Sequence, residues 1–125
     1  MSTTWRDNVP IYRQIRDRVV QRLLDEALSD GSALPSVRDV AADYRVNPLT
    51  VLKAYQLLVD EGLVESRRGL GMYVVAGARR KLLSMLKKQF VEEEWPQIVK
   101  TIERLGLDWS VLLAAAGTRA GGERK

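Results

Sequence analysis

The chain has 125 residues, 46% of them hydrophobic, and a formal net charge of +4. It contains neither cysteine nor histidine. That excludes disulfides, thiolate nucleophiles and thiolate-held zinc, and removes both the usual general base near neutral pH and the commonest metal ligand. The expectation is therefore a non-enzyme with no catalytic residues, no metal site and no cofactor, built as one compact domain with a short appendage. The mild positive excess favours polyanions without naming one.

Met1 to Asn8 is short, polar and charged, with no secretory-type apolar core. No window approaches the ~20 apolar residues of a membrane span, so the reading is a cytoplasmic protein with no membrane partner. Pro10 then opens a helix at its first position, where a missing N–H is harmless. Ile11, Ile15, Val19 and Leu23 recur every four residues, with Leu24, Ala27 and Leu28 on a neighbouring stripe and charges on the other faces. This amphipathic helix is expected to end before Ser29-Asp30-Gly31.

Leu34-Pro35-Ser36 reads as an extended entry into a short helix over 36–44, with Ser36 as N-cap and Val37, Val40, Ala41 and Tyr44 facing inward. Arg45-Val46 is a tight connection. Asn47 caps a third helix whose first residue is Pro48; it turns Val51, Ala54, Tyr55 and Leu58 inward and stops at Glu61-Gly62. Two β-type runs follow, 63–66 and 72–75, joined by Arg67-Arg68-Gly69-Leu70-Gly71, a turn of hairpin length. Helix, helix, tight turn and basic-tipped hairpin make a winged helix-turn-helix.

Ala76-Gly77-Ala78 reads as a hinge. Beyond it, a helix over 79–94 carries Leu82, Leu83, Leu86, Phe90 and Val91 along one side. Pro96 should break or kink it, since proline lacks an N–H and clashes with the preceding turn. Helix restarts there and runs to Leu105, with Ile98, Val99 and Ile102 apolar and Gly106 ending it. Asp108 caps a last helix over 109–116, which contains Trp109 and Leu112, and the glycine-bearing tail 117–125 should fray. The fold class is thus mainly α with a small β-hairpin: a winged domain over 1–76 and an all-α arm over 77–125.

A recognition helix enters the major groove with its N-terminal residues toward base edges while the preceding helix braces it. Here that start offers Asn47, Leu49, Thr50 and Lys53. Asparagine can pair with adenine, threonine meets base or phosphate, leucine packs on a thymine methyl, and lysine reaches phosphate. The alternative is that Asn47 only caps and Lys53 is only solvated. Arg38 lies opposite the apolar face of its helix and can clamp phosphate or reach guanine, unless Asp39 or Asp43 engages it. At the hairpin tip, Arg67 and Arg68 beside Gly69 and Gly71 suit a narrow minor groove. Glu92-Glu93-Glu94 reads as a solvated acidic face, because consecutive helical residues point in different directions.

From Leu34 to Val75 the sequence resembles the GntR family of bacterial regulators. The resemblance rests on Leu34-Pro35-Ser36-Val37-Arg38, Val46-Asn47-Pro48 with Thr50-Val51, Lys53-Ala54-Tyr55, Leu58, Glu61-Gly62-Leu63-Val64 and Arg68-Gly69-Leu70-Gly71, with Pro10 to Ile15 similar to the family's first helix. It implies a sequence-specific DNA-binding transcription regulator in which Ser36, Arg38, Asn47, Thr50 and the 68–71 turn meet the duplex. Leu49 departs from the polar residue many relatives carry. Too little chain follows Gly77 for a large effector domain, and the helical tail resembles the YtrA-like subfamily, where such a tail is a dimerisation arm. That implies a homodimeric repressor on a two-fold symmetric operator, paired through Leu82, Leu83, Leu86, Phe90, Ile98, Ile102, Leu105, Trp109 and Leu112. Whether a small-molecule effector exists stays open. A winged protein-interaction module without sequence-specific DNA binding is the alternative.

Overall fold

The computed structural model describes residues 5–123, with side-chain environments through residue 117. The chain divides into two compact units, Met1–Ser84 and Met85–Lys125.

In the first unit, α1 (Ile11–Leu24) starts after Pro10, which is the N-cap rather than the first helical residue. Its stripe of Ile15, Val19, Val20 and Leu23 is buried. The helix ends at Leu24, earlier than its apolar pattern suggests. Glu26 adopts a left-handed φ of 62°, and the Ala27 and Leu28 N–H groups both return to the Arg22 carbonyl. Leu28 reaches the core from the loop instead, while Ala27 is exposed. The segment before α1 is fastened by the buried Gln14. Its amide donates to the carbonyls of Arg6 (2.9 Å) and Val9 (2.7 Å), and its Oε1 accepts from the Arg6 N–H.

Helix α2 (Val37–Tyr44) is capped by Ser36, whose Oγ accepts from the Asp39 N–H at 3.0 Å. Helix α3 (Pro48–Asp60) is capped by Asn47, whose Oδ1 accepts from the Leu49 N–H at 2.8 Å. Val51, Ala54, Tyr55 and Leu58 are fully buried, so α3 is the central element, packed on α1, α2 and β1 (Val64–Arg67). Strand β2 (Gly71–Val74) pairs antiparallel with β1, Val64 opposite Val74 and Arg67 opposite Gly71. The residues before Pro35 extend the sheet on its other side. Ala33 bridges Tyr73, the Leu34 N–H donates to the Met72 carbonyl, and the Val74 N–H donates to the Ser32 carbonyl. This third pairing was hidden because its partner lies some forty residues on in sequence.

The residues read as a hinge are tied down. Asp30 accepts from the Gly77 N–H at 2.6 Å, Ala78 is buried, and Arg79 donates to the Leu24 carbonyl at the end of α1. Helix α4 (Ala78–Gln89) therefore begins inside the first unit, and Leu82 lies in its core.

The backbone from α4 to α5 (Trp95–Leu105) is not broken by Pro96. Between them Phe90–Glu94 forms a wider turn in which the Trp95 N–H reaches back five residues to the Phe90 carbonyl. One added residue per turn shifts the carbonyl that the proline ring would strike, so helical dihedrals carry through. Gly106, at φ 67°, ends α5. Asp108 then caps α6 (Trp109–Glu123), accepting at Oδ1 from the Ser110 N–H and hydroxyl, which hold its carboxyl below the usual range. Helix α6 runs past residue 116, through the part of the tail expected to fray. The last two residues of that expectation lie outside the described ones. In this second unit Trp95 lies 6.3 Å from Phe90 and 5.7 Å from Trp109, centroid to centroid.

Candidate nucleic-acid interface

The sharp corner between α2 and α3 is built on Arg45, held at φ 56° and ψ 48°. Few non-glycine residues accept that conformation. Here it lets the Val46 N–H return to the Ala41 carbonyl and closes the helix end. The corner sets α3 across α2 with the outer face of α3 bare. Leu49, Leu52, Lys53 and Gln56 are exposed on it, and Thr50 is half-buried at its edge. No acidic side chain interrupts that face before Asp60.

The candidate side chains divide into those already engaged and those left open. Asn47 spends its Oδ1 on the helix cap, leaving Nδ2 as its outward donor. A two-point pairing with adenine needs both atoms, so cap and base compete for it. Lys53 is not simply solvated: its Nζ sits 4.2 Å from the Tyr12 ring centroid, a cation–π contact joining α3 to the start of α1. Arg67 donates from Nε and Nη2 to Glu65 (3.2 and 3.1 Å) and lies 4.2 Å over the Tyr73 ring. Arg38 and Arg68, by contrast, are exposed and make no ion pair among the described residues. Arg38 thus escapes both Asp39 and Asp43.

At the wing, the Leu70 N–H closes the turn on the Arg67 carbonyl at 2.9 Å. Gly69 and Gly71 adopt φ of 76° and 113°, and an added Cβ would meet nothing within 4 Å at either. Conformation rather than crowding therefore demands glycine, and the bare backbone is open to close approach. The sequence reading missed Arg45, Leu52 and Gln56. Counting three and seven residues on from Leu49 would have found the last two; Arg45 gave no signal, because nothing about arginine announces a left-handed corner.

The second candidate set falls apart by burial. Leu82 and Ile102 are 1% and 8% exposed and offer no surface to a partner. Both expectations are corrected: each side chain is spent inside the chain's own packing. Phe90, Ile98, Leu105 and Trp109 are exposed, and Leu83, Leu86 and Leu112 are half-buried.

A family model described as "Bacterial regulatory proteins, gntR family" matches residues 11–74, the span from the start of α1 to the end of β2. The chain belongs to the gntR family. It is similar to the HTH-type transcriptional regulator YhcF of Bacillus subtilis, 34% identical over 94% of this chain and 96% of that protein. It is also 34% identical to the HTH-type transcriptional repressor YtrA of the same organism, over 82% of this chain and 78% of the other. Among solved structures, a GntR family transcriptional regulator from Listeria monocytogenes superposes with a TM-score of 0.75 at 26% identity, covering 91% of this chain and 98% of its own. The likeness to YtrA extends past the winged domain into the helical tail, as the YtrA-like reading implies. This gntR family chain is a DNA-binding transcription regulator of the winged helix-turn-helix kind, and no helix among its described residues is long and apolar enough to cross a membrane.

Proposed function

We propose that the chain is a dimeric repressor that places two α3 helices and two wings on a two-fold symmetric operator. It would act in the cytoplasm without catalysis. Dimerisation rests on one observation: among the described residues, Ile102 is the only buried side chain from Met85 onward. A helical unit with that little interior, whose outer surface carries Phe90, Trp95, Ile98, Leu105, Trp109, Val111 and Leu113, gains its burial from a second copy. The repressor reading is supported by the name of the relative YtrA, which this chain matches over most of its length.

On DNA, Arg38 and Arg68 would contact phosphate or groove edges with guanidinium groups that no carboxylate holds among the described residues. Ser36 and Thr50 would approach the backbone from the starts of α2 and α3. Arg67 would leave Glu65 to engage, and Gly69 and Gly71 would lie against the minor-groove edge. Lys53, parked on Tyr12, would meet phosphate at the margin.

The test pairs sedimentation with gel-shift titration. Ile98→Glu and Leu105→Glu each place a charge on an exposed apolar position and should leave the fold intact. Both should convert a dimer to a monomer and weaken binding to a two-half-site duplex far more than to a single half-site. A wild-type chain that sediments as a monomer at micromolar concentration and binds the half-site equally well would overturn the proposal.

A further inference from the structure

The start of α3 sets two exposed aliphatic side chains beside polar groups that are partly engaged within the protein. Leu49 is 69% exposed and Leu52 43%. They are three residues apart and so share one side of the helix. Scattered exposed leucines are ordinary; these two occupy the first turns of the helix that the fold presents to the groove, with Arg45 before them and Lys53 and Gln56 beside them. The polar groups at that end are largely spent: the Asn47 Oδ1 caps the helix, Thr50 is half-buried and Lys53 rests on Tyr12. Hydrogen-bond readout from this helix is correspondingly thin.

The one apolar feature of the major groove is the thymine C5 methyl. Positions three apart on a helix are separated by about 4.5 Å along its axis, close to the ~3.4 Å rise between stacked base pairs. Resting on the DNA-reading assignment above, we infer that Leu49 and Leu52 are specificity-determining residues that together read the methyl groups of neighbouring thymines in each half-site. Neither Arg38 nor Arg45 can recognise a methyl group, so Leu52 supplies a discrimination that charge cannot.

The experiment uses the full chain and duplexes selected by it from a randomised library. Each thymine in the selected half-site is replaced singly by deoxyuridine, which removes the methyl and nothing else. For the wild type, two neighbouring positions should each lose about fourfold in affinity, the value of one buried methyl-sized group. In Leu52→Ala one of those penalties should shrink toward onefold, and in Leu49→Ala the other, with the salt dependence of binding unchanged because no phosphate contact is lost. A selected site with no methyl-sensitive thymine would overturn the inference while leaving DNA reading intact, as would penalties unchanged in both variants. Failure of the library to enrich any sequence would remove the underlying assignment as well.

Discussion

The two units use apolar side chains in opposite ways. In the first, Ile15, Leu23, Val51, Tyr55, Leu58, Leu63, Val74 and Leu82 are each at most 2% exposed, gathered around α3. In the second, Ile102 alone among the described residues is buried, while Phe90, Trp95, Ile98 and Trp109 each keep about two-fifths of their surface open. The sequence is comparably apolar in both, so composition cannot tell them apart. What differs is topology: α1, α2, α3 and a three-segment sheet enclose a volume, whereas α5, α6 and the end of α4 do not. A closed arrangement of helices makes a core, and an open one makes a surface for something else.

The sharpest way to break that comparison is to make the same truncation in both units. Leu58→Ala removes a side chain with no exposure and should cost about 2–5 kcal/mol in urea denaturation. Leu105→Ala, at a site 64% exposed, should cost no more than about 0.5 kcal/mol when the chain is diluted below its association threshold. Equal costs would mean that the second unit has an interior of its own.

A second prediction separates reading from pairing. Arg38→Ala should lower DNA affinity by about 1.5–3 kcal/mol, the range for hydrogen bonds to charged groups, and reduce the salt slope by about one. Thermal stability and sedimentation should not change, because Arg38 makes no ion pair among the described residues. Binding that stays at the wild-type level across salt would remove Arg38 from the interface. A third tests how the start of α4 is fastened within the first unit. Asp30→Ala deletes the acceptor of the Gly77 N–H and should cost about 1 kcal/mol, with faster amide exchange at Gly77. Wild-type exchange there would show the junction to be fastened by other groups.

How much of this could be read from the sequence follows the same division. The inward positions of α3, most of those of α1, both helix caps and the hairpin were legible, because each depends on neighbours three or four residues away or on a glycine at a turn; Ile11, expected on the inward stripe of α1, is exposed, and of the four expected in α2 only Ala41 is buried while Val37, Val40 and Tyr44 are half-buried. The early end of α1, the fastened junction at 77–79 and the strand-like pairing of Ala33 were not. Each relies on a partner the pattern cannot locate: Arg79 on Leu24, Asp30 on Gly77, Ala33 on Tyr73. Within the interface, Arg38, Leu49 and the wing glycines stood out, but whether a cation was free or engaged did not. Arg67 and Arg68 are adjacent and chemically identical, yet only Arg67 has a carboxylate and a ring to rest on.

The last prediction concerns Tyr55, where the core of the first unit touches the entry to α2. Its hydroxyl donates to the Pro35 carbonyl at 2.7 Å, fixing the chain one residue before the Ser36 cap. Burial, followed by the nearby Tyr44, pushes the phenol up to about 12. In the unfolded chain it titrates near 10. The unfolded form therefore gives up its proton first, and the stability this group contributes is complete below pH 10 and lost as pH climbs from about 10 to 12. Tyr55→Phe should cost about 0.5–1.5 kcal/mol at neutral pH for the missing hydrogen bond. It should also flatten the fall in stability between pH 10 and 12, as followed by urea midpoints across that range. A variant that keeps the wild-type slope would assign the alkaline loss to other groups.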